Sequence, residues 1–469
     1  CLRERVLVSV CEQFVRGAMR ILLVCVGSRG DVQPYLRVGL SLAKEWAHEV
    51  FVAAFEEYQE LVEGPGHPGV HFLPLRGSFE RALMDTKAGQ RVARQDFNIF
   101  NAFSRIRALF EPLMHVWLED LHRIVTEDGP FDLLGLSTMV CPLGLHLGEV
   151  PVVKGLGPRI PTVALHTIPF TATKHFAPCT AGNGKSWFRW MNSLKWSAGY
   201  KMVWSKVYKK ALNSILKEFG CDPYLKESPF ELMEHRLEKI IYLYSEHLLP
   251  RPADWSAKNI VAGSMQPVQE ELPGSAYFPP QELEEFLTLE GPVVWIGFGS
   301  MLGCMLEEKE RQNLMRMVIA AVEGSECRAV ILTKGLEGAP PASRAVYYVE
   351  DVPHSWLFPR CAAVVHHGGA GTTHAGLQAG KPSLIVPFGG DQEFWGTLVA
   401  DAGCGVSPIP RKKLTTSKLS KALVNLLTTP SFTARASEMA KSMASESGTS
   451  GVAAMLHEIV SREGHASSP

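Results

Sequence analysis

The chain has 469 residues, 46% of them hydrophobic and 20% charged, and its 47 Lys+Arg against 48 Asp+Glu give a formal net charge of −1. This composition belongs to a globular protein of two or three domains; it excludes a disordered chain and a disulfide-stapled mini-protein, and it leaves nucleic-acid binding without a basic field to drive it. Ten scattered cysteines form no CxxC pair and no zinc-type spacing, so the sequence predicts reduced packing residues in a cytoplasmic protein and no metal ligands.

Residues 1–18 carry Arg3, Glu4, Arg5 and Glu12, lack the apolar core of a secretory signal, and are set aside as an extension. An apolar run at 21–26 predicts a strand buried on both faces. The turn Gly27-Ser28-Arg29-Gly30-Asp31 follows, then a helical pattern from Pro34 through Ala43 and a strand at 50–54. Residues 133–136 and 162–165 read as later strands of the same sheet. The longest uncharged apolar stretch, 133–148, is too short to span a bilayer, which takes about 20 residues, and reads as a strand plus a loop.

The pattern restarts at 292–296 with another apolar run and the turn Gly297-Phe298-Gly299-Ser300. A helix over 307–322 and strands at 329–332, 345–349, 362–366 and 383–386 complete a second unit. The fold class predicted is α/β: two Rossmann-like, doubly wound domains facing across a cleft. The expected division is 1–18 extension, 19–256 N-terminal Rossmann-like domain, 257–444 C-terminal Rossmann-like domain, and 445–469 C-terminal helix and tail. The join is marked by Pro250-Arg251-Pro252.

Between Glu149 and Glu218 there is no acid, while eleven Lys/Arg and four of the ten tryptophans fall there. Cations with indoles suit an anionic membrane surface, and also suit a solvated helix whose tryptophans turn inward. Peripheral membrane contact through 174–217 is the expectation.

The strongest chemical pattern is His366-His367-Gly368-Gly369-Ala370-Gly371-Thr372-Thr373, placed between a strand and a helix. Glycines let a ligand approach the backbone, and the helix N-terminus offers unpaired N–H groups that suit a diphosphate. Downstream, Asp391 and Gln392 follow a Gly-rich turn and can fork to sugar hydroxyls. Asp31 lies beyond the carboxyl end of the first strand, where open α/β sheets bind ligands. It can serve as a general base, and the same position suits a helix cap. There is no Asp-x-Asp, so a leaving diphosphate would be neutralised by backbone dipoles and side chains instead of a chelated metal.

At these residues the sequence resembles the sterol 3-beta-glucosyltransferases, a branch of the UDP-glycosyltransferases with the GT-B fold. The resemblance runs from about Arg20 to Val460. It is carried in order by Gly27 to Pro34, Ile168-Pro169-Phe170-Thr171-Ala172-Thr173, Arg251-Pro252-Ala253-Asp254-Trp255, Val352-Pro353-His354-Ser355-Trp356-Leu357-Phe358-Pro359, the paired-histidine motif, and Pro387 to Gln392. It implies glucose transfer from UDP-glucose, a co-substrate with no further cofactor, to a sterol 3-hydroxyl with inversion, Asp31 being the base. Ser28, Arg29 and Ser300 would line the donor cleft, and Val352 and His354 would meet the uracil. His366, His367, Ala370, Gly371 and Thr372 would hold the diphosphate, and Asp391 and Gln392 the glucose. Plant-type relatives carry a Glu eight residues after the motif histidine; this chain has His374 or Ala375 there. Another lipid or polyketide-like acceptor, a nucleotide-sugar isomerase, and a non-catalytic lipid binder on the same scaffold stay open at this point.

Overall fold

The computed structural model describes residues 18–64, 66–93, 102–182, 188–224, 226–265, 277–299, 302–333 and 343–466. Among them, two wholly parallel sheets carry the architecture. The first is built from β1 (Arg20–Val24), β2 (Glu49–Phe55), β3 (Val70–Leu75), β4 (Leu133–Ser137), β5 (Thr162–His166), β6 (Ile240–Tyr242) and β7 (Asn259–Val261), in the order β3-β2-β1-β4-β5-β6-β7. Its main helices are α1 (Arg29–Trp46), α2 (Ala102–Arg123), α3 (Arg189–Val203) and α4 (Lys209–Glu218). The second sheet is β8 (Val293–Gly297), β9 (Arg328–Leu332), β10 (Val346–Val349), β11 (Ala363–His366) and β12 (Ser383–Ile385), in the order β10-β9-β8-β11-β12. With it go α5 (Glu308–Glu323), α6 (Ala370–Gln378) and α7 (Gln392–Asp401), and the chain ends in α8 (Gly448–Ala466).

Helices cover both faces, so the central strands are continuous apolar runs: β4, β5 and β8 are buried at every position. In each sheet the strand order reverses beside the first strand, between β1 and β4 and between β8 and β11. A crevice opens outside the carboxyl ends of the strands at such switch points. The two sequence motifs with the strongest chemical character follow β1 and β11.

Several elements differ from the sequence reading. Helix α1 begins at Arg29, not near Pro34, because Ser28 and Asp31 form a capping box that starts it earlier. Pro34 lies in the second turn and forfeits a bond to the carbonyl of Gly30, which is exposed to solvent. Strands β3, β6 and β7 were not anticipated. Because β7 pairs with β6, the first sheet extends to Val261, past the expected join at 256. Residues 141–144, expected as loop, form a short helix.

Helix α8 returns to the first domain and lies against α1. The His457 ring stacks on Trp46 at 5.2 Å, and the Ser450 hydroxyl donates to Glu45. Where the chain crosses between domains, Glu446 gathers the two crossings. It accepts from the Ser245 hydroxyl at 2.5 Å, and from the Ser264 N–H at 2.9 Å and hydroxyl at 3.1 Å. Gln378 donates to the Ser264 hydroxyl, and the Gly448 N–H bonds the Ala262 carbonyl. Ser245 and Ser264 are both fully buried. Glu446→Ala strands their donors without an acceptor, at about 1–3 kcal/mol for each group. The expected outcome in scanning calorimetry is a melting temperature several degrees lower, with Glu446→Gln close to wild type; an unchanged Glu446→Ala melt contradicts this role.

Candidate active site

At the end of β1 the backbone turns through Gly27, whose φ of +146° disfavours a side chain. A Cβ there would sit 2.3 Å from Asp31 Oδ2, so glycine is what lets the carboxylate fold back over the strand end. Asp31 Oδ2 accepts from the Ser28 N–H at 2.7 Å and from the Ser28 hydroxyl at 3.0 Å. The capping role and the cleft position thus coincide in one residue, and among the described residues Oδ1 is left without a protein donor. Burial pushes the carboxyl above its ordinary range, while the two Ser28 bonds pull it back. Arg29, expected near the donor, reaches across to the second domain and pairs with Asp351 at 2.7 Å.

On the facing domain, β11 ends at His366, and α6 begins with Gly369 as its cap and no side chain accepting from its first turn. The N–H groups of Ala370, Gly371 and Thr372 therefore remain available. A Cβ on Gly371 would meet nothing within 4 Å, so the space over this helix end is open. His366 Nδ1 accepts from the Gly368 N–H at 3.1 Å, which leaves the proton on Nε2, a buried atom with no protein partner. Burial holds His366 well below the usual imidazole range and brings His367 down to about 4. Near neutral pH both rings are uncharged, and His366 offers an N–H rather than a positive charge. The His367 ring is wedged against Gly369, where a Cβ would lie 2.6 Å from Nε2. The Thr373 hydroxyl bonds its own turn at the Gly369 carbonyl.

Asp391 stands just before α7 without capping it, and its Oδ2 accepts from the Trp395 indole at 2.6 Å. Burial, together with the charge of Asp31, pushes its carboxyl up to about 6. Asp31 and Asp391, from different domains, thus lie close enough for the charge of one to act on the other. Gln392 spends its carbonyl on the N–H groups of Phe388 and Gly389, leaving its amide N–H₂ as a donor. Val352 is buried in the second domain's core. The His354 ring stacks on Phe358 at 4.3 Å and meets Trp295 edge-on, and burial lowers it to about 4. Ser300 lies outside the described residues.

His374, one of the two residues expected at the position of the plant-type acid, holds the domain crossing. Its Nδ1 donates to the Ala370 carbonyl, and its Nε2 accepts from the Ser245 N–H at 3.1 Å, at the domain crossing. The segment 168–174 is fixed by the β6–β7 region: the Thr171 N–H donates to the Tyr242 hydroxyl, and the Thr173 hydroxyl and Lys174 N–H donate to Asp254. Just beyond it, Phe176 meets Phe394 of α7 at 5.7 Å. A cavity of about 290 Å³ opens nearby between Thr180 and Gly182 on one side and Phe388, Gly389 and Gly390 on the other. The sequence reading missed Trp395, although its spacing four residues after Asp391 on a helix was visible. It also missed Asp351 and Ser245, whose partners are remote in sequence.

Comparison with known proteins agrees with this geometry. Residues 329–459 match the family described as Erythromycin biosynthesis protein CIII-like, C-terminal domain. A sterol 3-beta-glucosyltransferase of Arabidopsis thaliana, UGT80B1, is 30% identical over 444 residues, 94% of this chain and 68% of the relative. The O-mycaminosyltylonolide 6-deoxyallosyltransferase of Streptomyces fradiae is 28% identical over 94% of this chain and 97% of its own length. In fold, the glycosyltransferase of kitacinnamycin aligns with a TM-score of 0.66 at 18% identity, covering 95% of this chain and all of that one. VinC in complex with dTDP aligns at 0.61 with 19% identity, over 95% and 100%. With two parallel-sheet domains, a shared crevice and this degree of identity, the chain is a glycosyltransferase of the GT-B fold and belongs to the sterol 3-beta-glucosyltransferase family.

Proposed function

We propose that the chain transfers glucose from UDP-glucose to the 3-hydroxyl of a membrane sterol, with inversion at the anomeric carbon. The observation that carries this is that the Asp31 charge reaches Asp391 of the second domain, while the Gly368 turn before an α6 N-terminus that no side chain caps packs against Gln392. Asp31 Oδ1 takes the acceptor's proton as its oxygen attacks the anomeric carbon. The bond from that carbon to the β-phosphate oxygen breaks, and UDP leaves with the electron pair. Its charge is met by the N–H groups of Ala370, Gly371 and Thr372 and by the neutral His366 donor. Val352 and His354 offer backbone to the uracil, Asp391 and the Gln392 amide hold glucose hydroxyls, and Ser28, Arg29 and His367 complete the donor side. The raised Asp31 carboxyl is a stronger base than an exposed aspartate. No resident cofactor enters.

The α3 surface favours a membrane acceptor. Phe188, Trp190 and Leu194 are 58–63% exposed, and Lys201 is exposed further along the helix, whereas Trp196 and Trp204 turn inward. Lys185 and Trp187 lie outside the described residues. Among the described residues no helix is long and apolar enough to cross a membrane. We place the protein in the cytoplasm, docking peripherally on anionic lipid.

Mass spectrometry of products from UDP-glucose with mixed sterols and macrolide aglycones tests the reaction. The expected product is a steryl β-glucoside, with kcat reduced about 10²–10⁴-fold in Asp31→Asn while donor binding persists. A glucosylated macrolide alone moves the acceptor to polyketides, donor conversion without any acceptor indicates an isomerase, and a fully active Asp31→Asn removes the base assignment.

The raised Asp391 carboxyl makes a second test. The folded chain binds this proton more tightly than the unfolded chain, so its charge costs stability above pH 6, on the order of 3 kcal/mol, and the cost fades as pH falls toward 4. Asp391→Asn is expected to melt higher than wild type at pH 7, to lose that advantage at pH 4.5, and to lower kcat/KM with UDP-glucose by roughly 10-fold or more. A variant melting below wild type at pH 7 contradicts the cost.

For the surface, sedimentation with phosphatidylserine vesicles is expected to show salt-sensitive binding that Trp190→Ala/Leu194→Ala weakens by roughly 10-fold. Equal binding by the double variant retires the α3 contact.

A further inference from the structure

A second cluster lies away from the cleft. His122 near the end of α2, His146 after the short helix 141–144, and Cys221 just after α4 bring three buried donor atoms within 4.8 Å of one another. The two histidines point their Nε2 atoms at each other, 2.8 Å apart. His146 Nδ1 is buried with no hydrogen-bond partner among the described residues, and its Nε2 faces the cluster. Phe219 stacks on the His122 ring at 4.2 Å and fixes its plane.

From this geometry we propose that His122, His146 and Cys221 form a zinc site. Two imidazoles and a thiolate are a borderline-soft set that suits Zn²⁺ and rejects Mg²⁺ and Ca²⁺, with one position left for water. Zinc–nitrogen and zinc–sulfur bonds of about 2.0–2.1 and 2.3 Å put tetrahedral neighbours roughly 3.3–3.7 Å apart. The histidine pair therefore opens by about half an ångström, and the thiol closes in. Lys154 and Asp222 both reach Cys221 electrostatically, with opposite signs, and Arg236 reaches His146. The thiolate supplies the negative charge that a divalent ion needs among them.

Topology assigns the role. Each ligand sits in the connection that leads into one of three adjacent strands: His122 before β4, His146 before β5, Cys221 before β6. The Ile160 N–H bonds the Gly148 carbonyl, so the turn after His146 lies at the start of β5. All three are on the amino edge of a parallel sheet whose carboxyl edge carries Asp31. The ion would staple the strand entries and take no part in glycosyl transfer, so this inference stands apart from the proposed reaction.

Cobalt titration of the chelator-treated, reduced full chain tests it. The expected result is one Co²⁺ per chain with a thiolate charge-transfer band, displaced by Zn²⁺, absent in Cys221→Ser, and with affinity lowered roughly 10-fold or more in His122→Gln. No band, or an unchanged band in Cys221→Ser, overturns the site. Should either variant fail to fold, alkylation of wild type mapped by peptide mass spectrometry decides: Zn²⁺ shields Cys221 if the site is real, and equal labelling with and without Zn²⁺ overturns it.

Discussion

The hydrogen bonds between Ser28 and the Asp31 carboxylate are the constraint on which the rest depends. They start helix α1 and fix one carboxylate oxygen, so the other projects from the end of β1 in a single orientation. A general base in a flexible loop would lose much of its proximity advantage to motion. In the proposed reaction the base is a helix-capping side chain, and the backbone of the central strand and first helix holds it. Gly27 is the enabling residue, since a side chain there would occupy the carboxylate's place.

The second domain meets this carboxylate with dipoles and neutral donors. Burial keeps His366 and His367 uncharged, so their contribution lies in fixed N–H groups and shape. A preorganised, neutral donor set loses little in reorganisation when charge develops on a leaving group. The Arg29–Asp351 pair at the rim joins the same two domains, and the Asp31 charge is felt at Asp391. The chemistry therefore depends on how the two sheets are held relative to each other.

How much of this was legible in the sequence follows from the range of each interaction. The central strands are unbroken apolar runs, and Ser28–Asp31 and His366–Thr373 are local motifs, so both the fold and the cleft's two walls could be read. Strand β3 is buried only at its two ends and contains Pro74, as an edge strand can, while β6 and β7 have three residues each, too few to show a period. The task of His374 was hidden because its partner, Ser245, comes from the other side of the molecule. The His122–His146–Cys221 cluster was invisible for a related reason. Its members are far apart in the chain, and only the turns between strands bring them together. On α3, composition pointed to aromatic residues at the surface, but it could not separate exposed Trp190 from buried Trp196 and Trp204.

The return of α8 to the first domain gives the molecule two covalent connections across its waist, near residues 262–264 and 446–448, bonded to each other through Gly448, Ala262 and Glu446. A single tether would let one lobe swivel about the other. Two parallel tethers resist torsion and leave bending as the soft coordinate, in the manner of a door hung on two pins. Each opening that admits donor and releases product would then retrace the same arc, returning the carboxylate of one lobe to the same place over the other.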